Sequence, residues 1–218
     1  MKVLVTAGPT HEPIDPVRFI GNHSSGKMGI AIAEAFAGIG AEVVMVKGPS
    51  HLKAMHPSIQ EVEVQTAAEM FQACEQYFSD SDVIVFAAAV ADYTPKNQAV
   101  EKIKKGKDEW SLELVRTIDI AGELGKNKKL GQFIVGFALE TEDELKHAKE
   151  KLAKKNFDII VLNSLKDKGA GFQHDTNKIT VIDKAGLVNA FPLKQKSELA
   201  RDLVRYIMEQ MKKTNTGT

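Results

Sequence analysis

A single cysteine among 218 residues leaves no partner for an internal disulfide and no basis for a cysteine-ligated metal cluster. Cys74 falls with Met70, Phe71 and Phe78 on one face of a helical segment and reads as a core residue. The six histidines are scattered, with neither an HxxxH nor an HExxH pair, which argues against a zinc site. Charge of one sign is also lacking. Lysine plus arginine and aspartate plus glutamate stand at 29 each, so no global field recruits nucleic acid or an anionic membrane, and any basic site must be local. No apolar stretch reaches the roughly 18 residues needed to span a bilayer. The N-terminus runs straight into a strand-like segment without a signal-peptide pattern, so a cytoplasmic protein is expected.

Several catalytic signatures are missing as well. There is no GxSxG elbow and no GxGxxG fingerprint, and the YxxxK pair of short-chain dehydrogenases fails because Tyr93 is followed by Lys96, one position too early. A nicotinamide-dependent reductase is therefore only an alternative. Gly21, Gly26 and Lys27 satisfy the first part of a P-loop, but Met28 stands where a Ser or Thr hydroxyl should hold magnesium. An ordinary P-loop ATPase is excluded on that ground.

What is present is an alternation of apolar runs and amphipathic stretches. Strands are predicted at Lys2 to Thr6, Glu42 to Val46, Asp82 to Ala88, Gln132 to Phe137 and Asp158 to Leu162. Helices are predicted at Lys27 to Ile39, Ala67 to Phe78, Ile120 to Asn127, Glu142 to Lys155 and Lys196 to Lys212. Near-continuous apolar strands between helices predict an α/β fold with a doubly wound, mainly parallel, Rossmann-like sheet. Two regions break the rhythm. Ala91 to about Val115 reads as a flap carrying the run EKIKKGK (Glu101 to Lys107) ahead of a strand-like Trp110 to Leu114. Lys178 to Phe191 alternates around Lys184-Ala185-Gly186 as an antiparallel hairpin extension. At this length a single domain over residues 1–213 is expected, with a disordered tail over 214–218.

The most informative stretch is GPTHEPIDPVRFIGNHSSGKMG, residues 8–29, a long loop between the first strand and the first helix. It places the backbone N–H groups around Ser24, Ser25 and Gly26 at a helix N-terminus, where an α/β protein binds phosphate. At the carboxyl end of the third strand, Ala87-Ala88-Ala89-Val90-Ala91-Asp92-Tyr93 lets backbone approach a ligand, and Asp92 there needs a partner or a ligand. The lysines of EKIKKGK are either a solvated face or a clamp on a triphosphate. Lys151 and Lys155, spaced i, i+4, are either a second cationic pair or surface decoration.

Together with GFALET (Gly136 to Thr141) and KKNFDIIVLN (Lys154 to Asn163), these blocks resemble the phosphopantothenoylcysteine synthetases, ligases of coenzyme A biosynthesis, from Val3 to beyond Phe172. The resemblance implies a CTP-dependent bacterial type, and the synthetase unit without the flavin-dependent decarboxylase to which it is often fused. Such enzymes join 4'-phosphopantothenate to L-cysteine through an acyl-cytidylate, releasing pyrophosphate and then CMP. Carried over, Asn22 holds the acyl intermediate, Ala88 and Ala89 lie at the strand end that meets nucleotide and acyl group, and Lys102 contacts the triphosphate. Asp92, Phe137, Lys151 and Lys155 contact the nucleotide. Thr117-Ile118-Asp119-Ile120 corresponds to an NPDI-like segment, from which Thr117 and Ile118 depart. The resemblance further implies a homodimer and magnesium that arrives with CTP, with no dedicated metal ligands. Nucleic acid and membrane are not expected partners. A catalytically silent nucleotide-binding module is the remaining alternative.

Overall fold

The computed structural model describes residues 1–106, 109–140, 142–164 and 174–216. Strand β1 (Lys2–Ala7) opens the chain, and its loop carries a short hairpin of β2 (His11–Pro13) and β3 (Phe19–Gly21) before helix α1 (Lys27–Gly38). Next come β4 (Glu42–Lys47), β5 (Ile59–Glu63), α2 (Ala67–Phe78) and β6 (Val83–Phe86). A second hairpin pairs β7 (Tyr93–Pro95) with β8 (Leu114–Arg116) ahead of α3 (Ile120–Lys126). The chain closes with β9 (Phe133–Glu140), α4 (Glu144–Lys154), β10 (Ile159–Ser164), β11 (Thr176–Asp183), β12 (Val188–Gln195) and α5 (Lys196–Thr216).

Eight strands form one sheet in the order β12-β11-β10-β9-β6-β1-β4-β5, parallel from β5 to β10, with β11 and β12 added antiparallel. The period of two in side-chain direction divides the core into two layers. Val3, Val5, Val83, Val85, Val135 and Val161 pack beneath α1 and α5, with Phe36, Leu203 and Ile207. Leu4, Ile84, Ile134 and Ile160 face the other way, onto Met70 and Cys74 of α2, Leu124 of α3 and Leu152 of α4. This is the doubly wound α/β sheet expected. Cys74 lies in the second layer, and burial pushes its thiol up to about 12, so it stays protonated and packs as an apolar group.

Departures from the expected elements have local causes. Strand β5, not anticipated, is an edge strand of mixed Ile59-Gln60-Glu61-Val62-Glu63, whose exposed side removes the apolar signal. The third expected strand stops at Phe86, since Ala87 and the residues after it leave the sheet to line a cleft. Of the stretch expected over Trp110 to Leu114, only Leu114 enters a strand. Asp143 adopts a left-handed φ of 43°, so α4 begins at Glu144 rather than Glu142. Helix α5 continues to Thr216, into the stretch expected to be a tail. Lys107, Thr141 and Phe172, which belong to the blocks quoted above, lie outside the described residues.

Candidate active site

Parallel α/β sheets bind ligands at the carboxyl ends of their strands, where successive connections depart in opposite directions. That point lies between β1, which leads on to β4 and β5, and β6, which leads to β9 and β10. A cleft of about 710 Å³ opens there. Its floor is backbone. The Ala88 N–H donates to Thr6 Oγ1 at 3.1 Å, the Ala89 N–H to the Gly8 carbonyl at 2.9 Å, and the Ala91 N–H to Thr10 Oγ1 at 3.0 Å. Over this floor Asn22 Nδ2 donates to the Ala89 carbonyl at 2.9 Å, which fixes the direction of its amide.

One wall is the start of α1. Gly26 takes φ 81°, a left-handed conformation, and a Cβ on Gly29 would come within 2.7 Å of Ala7 Cβ, so glycine lets the helix press against β1. No side chain caps this helix and no acid sits in its first turn, so its positive end faces the cleft through Gly26, Lys27, Met28 and Gly29. The opposite wall comes from Ile118, Asp119 and Ile120 at the start of α3, Phe137 of β9, and Lys151 and Lys155 at the end of α4. Asp119 accepts from the Gly122 N–H at 3.1 Å and from Lys155 Nζ at 2.7 Å. Burial alone would raise the Asp119 carboxyl; the Lys155 ammonium and this N–H outweigh it and hold it below its ordinary value. Lys151 Nζ is 2.6 Å from Glu140 Oε1.

Residues 1–211 match the model of the DNA/pantothenate metabolism flavoprotein C-terminal domain. The chain belongs to that family. It is 54% identical over 95% of its length to a cysteine/cysteine sulfinic acid decarboxylase from an unspecified prokaryote, covering 58% of that protein. It is 44% identical over 97% of its length to the coenzyme A biosynthesis bifunctional protein CoaBC of Bacillus subtilis (strain 168), covering 52% of that protein. The chain thus spans little more than half the length of the curated relatives it matches. The crystal structure of the C-terminal domain of a CoaBC superposes with a TM-score of 0.81 at 42% identity, with 97% of each chain covered. The kinship with coenzyme A biosynthesis proteins expected from the sequence is therefore found.

The cleft brings together Asn22, Ser24, Ser25, Gly26, Ala88, Ala89 and Asp92 with Ile118, Asp119, Ile120, Phe137, Lys151 and Lys155. Lys102 is not among the lining residues and its side chain is exposed. Its neighbour Ile103 is tied to the first loop: the Ile103 N–H donates to Asp15 Oδ2 at 3.1 Å, and Arg18 Nη2 donates to the Ile103 carbonyl at 3.0 Å. Sequence reasoning missed Lys27, Asn163, Asn177 and Lys196, which also line the cleft. Lys27 was in view within the truncated P-loop pattern. Asn163 closes the block KKNFDIIVLN but was given no role, and Asn177 and Lys196 carry no local signal, because only the sheet order brings β11 and the start of α5 to this edge.

Proposed function

We propose that the chain is a phosphopantothenate–cysteine ligase unit, joining 4'-phosphopantothenate to L-cysteine with CTP, in the cytoplasm and as a homodimer. The observation that carries this reading is the hydrogen bond of Asn22 to the Ala89 carbonyl, in a cleft that is also lined by a helix N-terminus and by Lys151 and Lys155. A carboxylate does not acylate an amine at neutral pH. Its oxygen first attacks the α-phosphorus of CTP, the bond to the β-phosphate oxygen breaks, and pyrophosphate leaves. The cysteine amine then attacks the acyl carbon, CMP departs with the carboxyl oxygen, and the amine gives up a proton.

In this scheme the Asn22 amide and the Ala88–Ala89 backbone orient the acyl-cytidylate, while Asp92, Ile118, Asp119, Ile120, Phe137, Lys151 and Lys155 receive the nucleotide. Ser24, Ser25 and Gly26 line the cleft at the N-terminus of α1, whose positive end favours phosphate oxygens. Lys102 acts on the leaving pyrophosphate, and since it sits on a flap beyond the lining, the flap folds over the loaded cleft. Exposed Phe19, Tyr93, Leu114 and Val115 on the two small hairpins support dimerisation beside this flap. The acids among the described lining residues are Asp92 and Asp119, a set suited to a magnesium ion carried on phosphate oxygens and water rather than to a protein cage. The decarboxylase name of the 54% relative describes a longer protein and is not carried over.

Release of pyrophosphate in dependence on the acid, followed by release of CMP in dependence on cysteine, is expected of this ligase, and of neither a nicotinamide reductase nor a silent nucleotide-binding module. With a backbone carbonyl of the Ala88 to Ala91 stretch accepting from the cytosine amino group, CTP should exceed ATP by about tenfold or more in kcat/KM. Equal use of the two nucleotides would remove the CTP assignment and leave the ligase assignment standing.

A further inference from the structure

The floor of the cleft is held by a residue outside its lining. Thr10 is 0% exposed and does not line the cleft. It spends both of its polar donors and acceptors on the strand end after β6. Its N–H donates to the Ala89 carbonyl at 3.3 Å, and its Oγ1 accepts from the Ala91 N–H at 3.0 Å. Thr117, half-buried at the link between β8 and α3, acts on the same stretch. Its Oγ1 donates to the Ala91 carbonyl at 2.5 Å, and its N–H to the Asp92 carbonyl at 3.0 Å. Thr117 is a position at which the chain departs from the NPDI-like pattern, and the departure supplies this hydroxyl.

These bonds decide what the floor can offer a base. In a planar trans peptide the carbonyl and the following N–H point opposite ways. The Ala89 N–H goes to the Gly8 carbonyl, so the Ala88 carbonyl points away from the segment Gly8 to Thr10. The Ala89 carbonyl and the Ala91 N–H both go to Thr10, so the Val90 N–H and carbonyl point away from it as well. Both peptide planes that flank Val90 thus depend on one residue. The Ala89 carbonyl is committed to Thr10 and Asn22, and the Ala91 carbonyl to Thr117. Among the described residues, the Ala88 and Val90 carbonyls accept from no protein group, and both residues line the cleft.

We propose that Thr10 is a positioning residue for nucleotide choice, with Thr117 as its counterpart. Together they aim the Ala88 and Val90 carbonyls at the exocyclic amino group of the base. The proposal rests on the CTP reading above and narrows the carbonyl that reads the base to two. Uracil carries an oxygen where cytosine carries the amino donor, so in the same pose it sets lone pair against lone pair. Without the Thr10 hydroxyl the peptide between Val90 and Ala91 loses its anchor, its carbonyl turns, and the distinction between the two bases fades.

Calorimetric binding of CTP, UTP and inorganic triphosphate to the full chain, each with magnesium, tests this. Parent protein is expected to prefer CTP over UTP by about tenfold or more. Thr10→Val keeps the shape and the backbone N–H but removes the acceptor. It should weaken CTP by about tenfold and leave UTP and inorganic triphosphate within about twofold, so that the preference is lost. Thr10→Ser keeps the hydroxyl and should keep the preference. Thr117→Val removes only a donor and should lower the preference by about threefold or more, and it carries the test if Thr10→Val does not fold. If the preference survives in the variant tested, or if every probe weakens together, the threonines are structural and the proposal is overturned. Parent protein that binds CTP and UTP alike overturns the CTP reading and the proposal with it. A chain that shows the expected preferences but releases no CMP overturns the ligase reading and leaves the role of Thr10 in place.

Discussion

At Asn22, one hydrogen bond to a strand-end carbonyl decides how a side chain in a nineteen-residue excursion can act. Because Nδ2 is committed to Ala89, the amide plane is set before a substrate arrives, and such preorganisation favours orientation of a bound intermediate. Asn22→Asp keeps the shape but replaces a donor with a negative charge beside an anionic acyl-cytidylate and an unpaired carbonyl. The first half-reaction should therefore survive better than the second. We expect acyl-cytidylate to accumulate, detectable by mass, and its consumption by cysteine to slow by about 10²-fold. Consumption at the parent rate would reduce Asn22 to a residue that shapes the turn before Gly26. Legibility at this scale followed locality. Asn22, Ser24 and Asp92 stand inside compact blocks and were visible, whereas Asn177 and Lys196 reach the cleft only through the antiparallel return of β11 and β12, which no spacing in the chain announces.

Among the elements, the link between the first loop and the flap rests on Asp15. Its Oδ1 accepts from the Val17 and Arg18 N–H groups at 2.9 and 2.8 Å, and its Oδ2 from the Arg18 guanidinium and the Ile103 N–H. The Arg18 guanidinium, with these N–H groups, holds the Asp15 carboxyl well below the usual carboxylate range. A carboxyl depressed in the folded state stabilises it fully above its unfolded value, about 3.9, and loses that contribution as pH falls toward the folded value. Parent protein should thus lose thermal stability on acidification below about pH 4 more steeply than Asp15→Asn, which should start lower at pH 7. Amide exchange at Ile103 should quicken in the variant, since its acceptor is gone. Parallel acid profiles, with Ile103 exchange unchanged, would contradict this account of the flap root. The major strands were legible because burial on both faces makes them continuous apolar runs. Strands β2, β3, β7 and β8, three residues each, were not, because three residues are too few to display an alternation and each pairs only within its own small hairpin.

Over the whole molecule, a sheet wound in both directions from β1 and β6 creates one cleft in which a polar loop, an uncapped helix and two lysine-bearing walls converge. The fold follows from the alternation of periodicities, but the chemistry follows from which ends of those elements meet. The central claim is that this meeting serves a two-step ligation through an acyl-cytidylate. It is tested most directly by mixing the chain with CTP, magnesium and 4'-phosphopantothenate and withholding cysteine. The account predicts pyrophosphate release approaching one equivalent per site and an acyl-cytidylate detectable by mass, followed by CMP and the cysteine adduct once cysteine is added. Pyrophosphate released only after cysteine arrives, with no acylated nucleotide at any time, would contradict it.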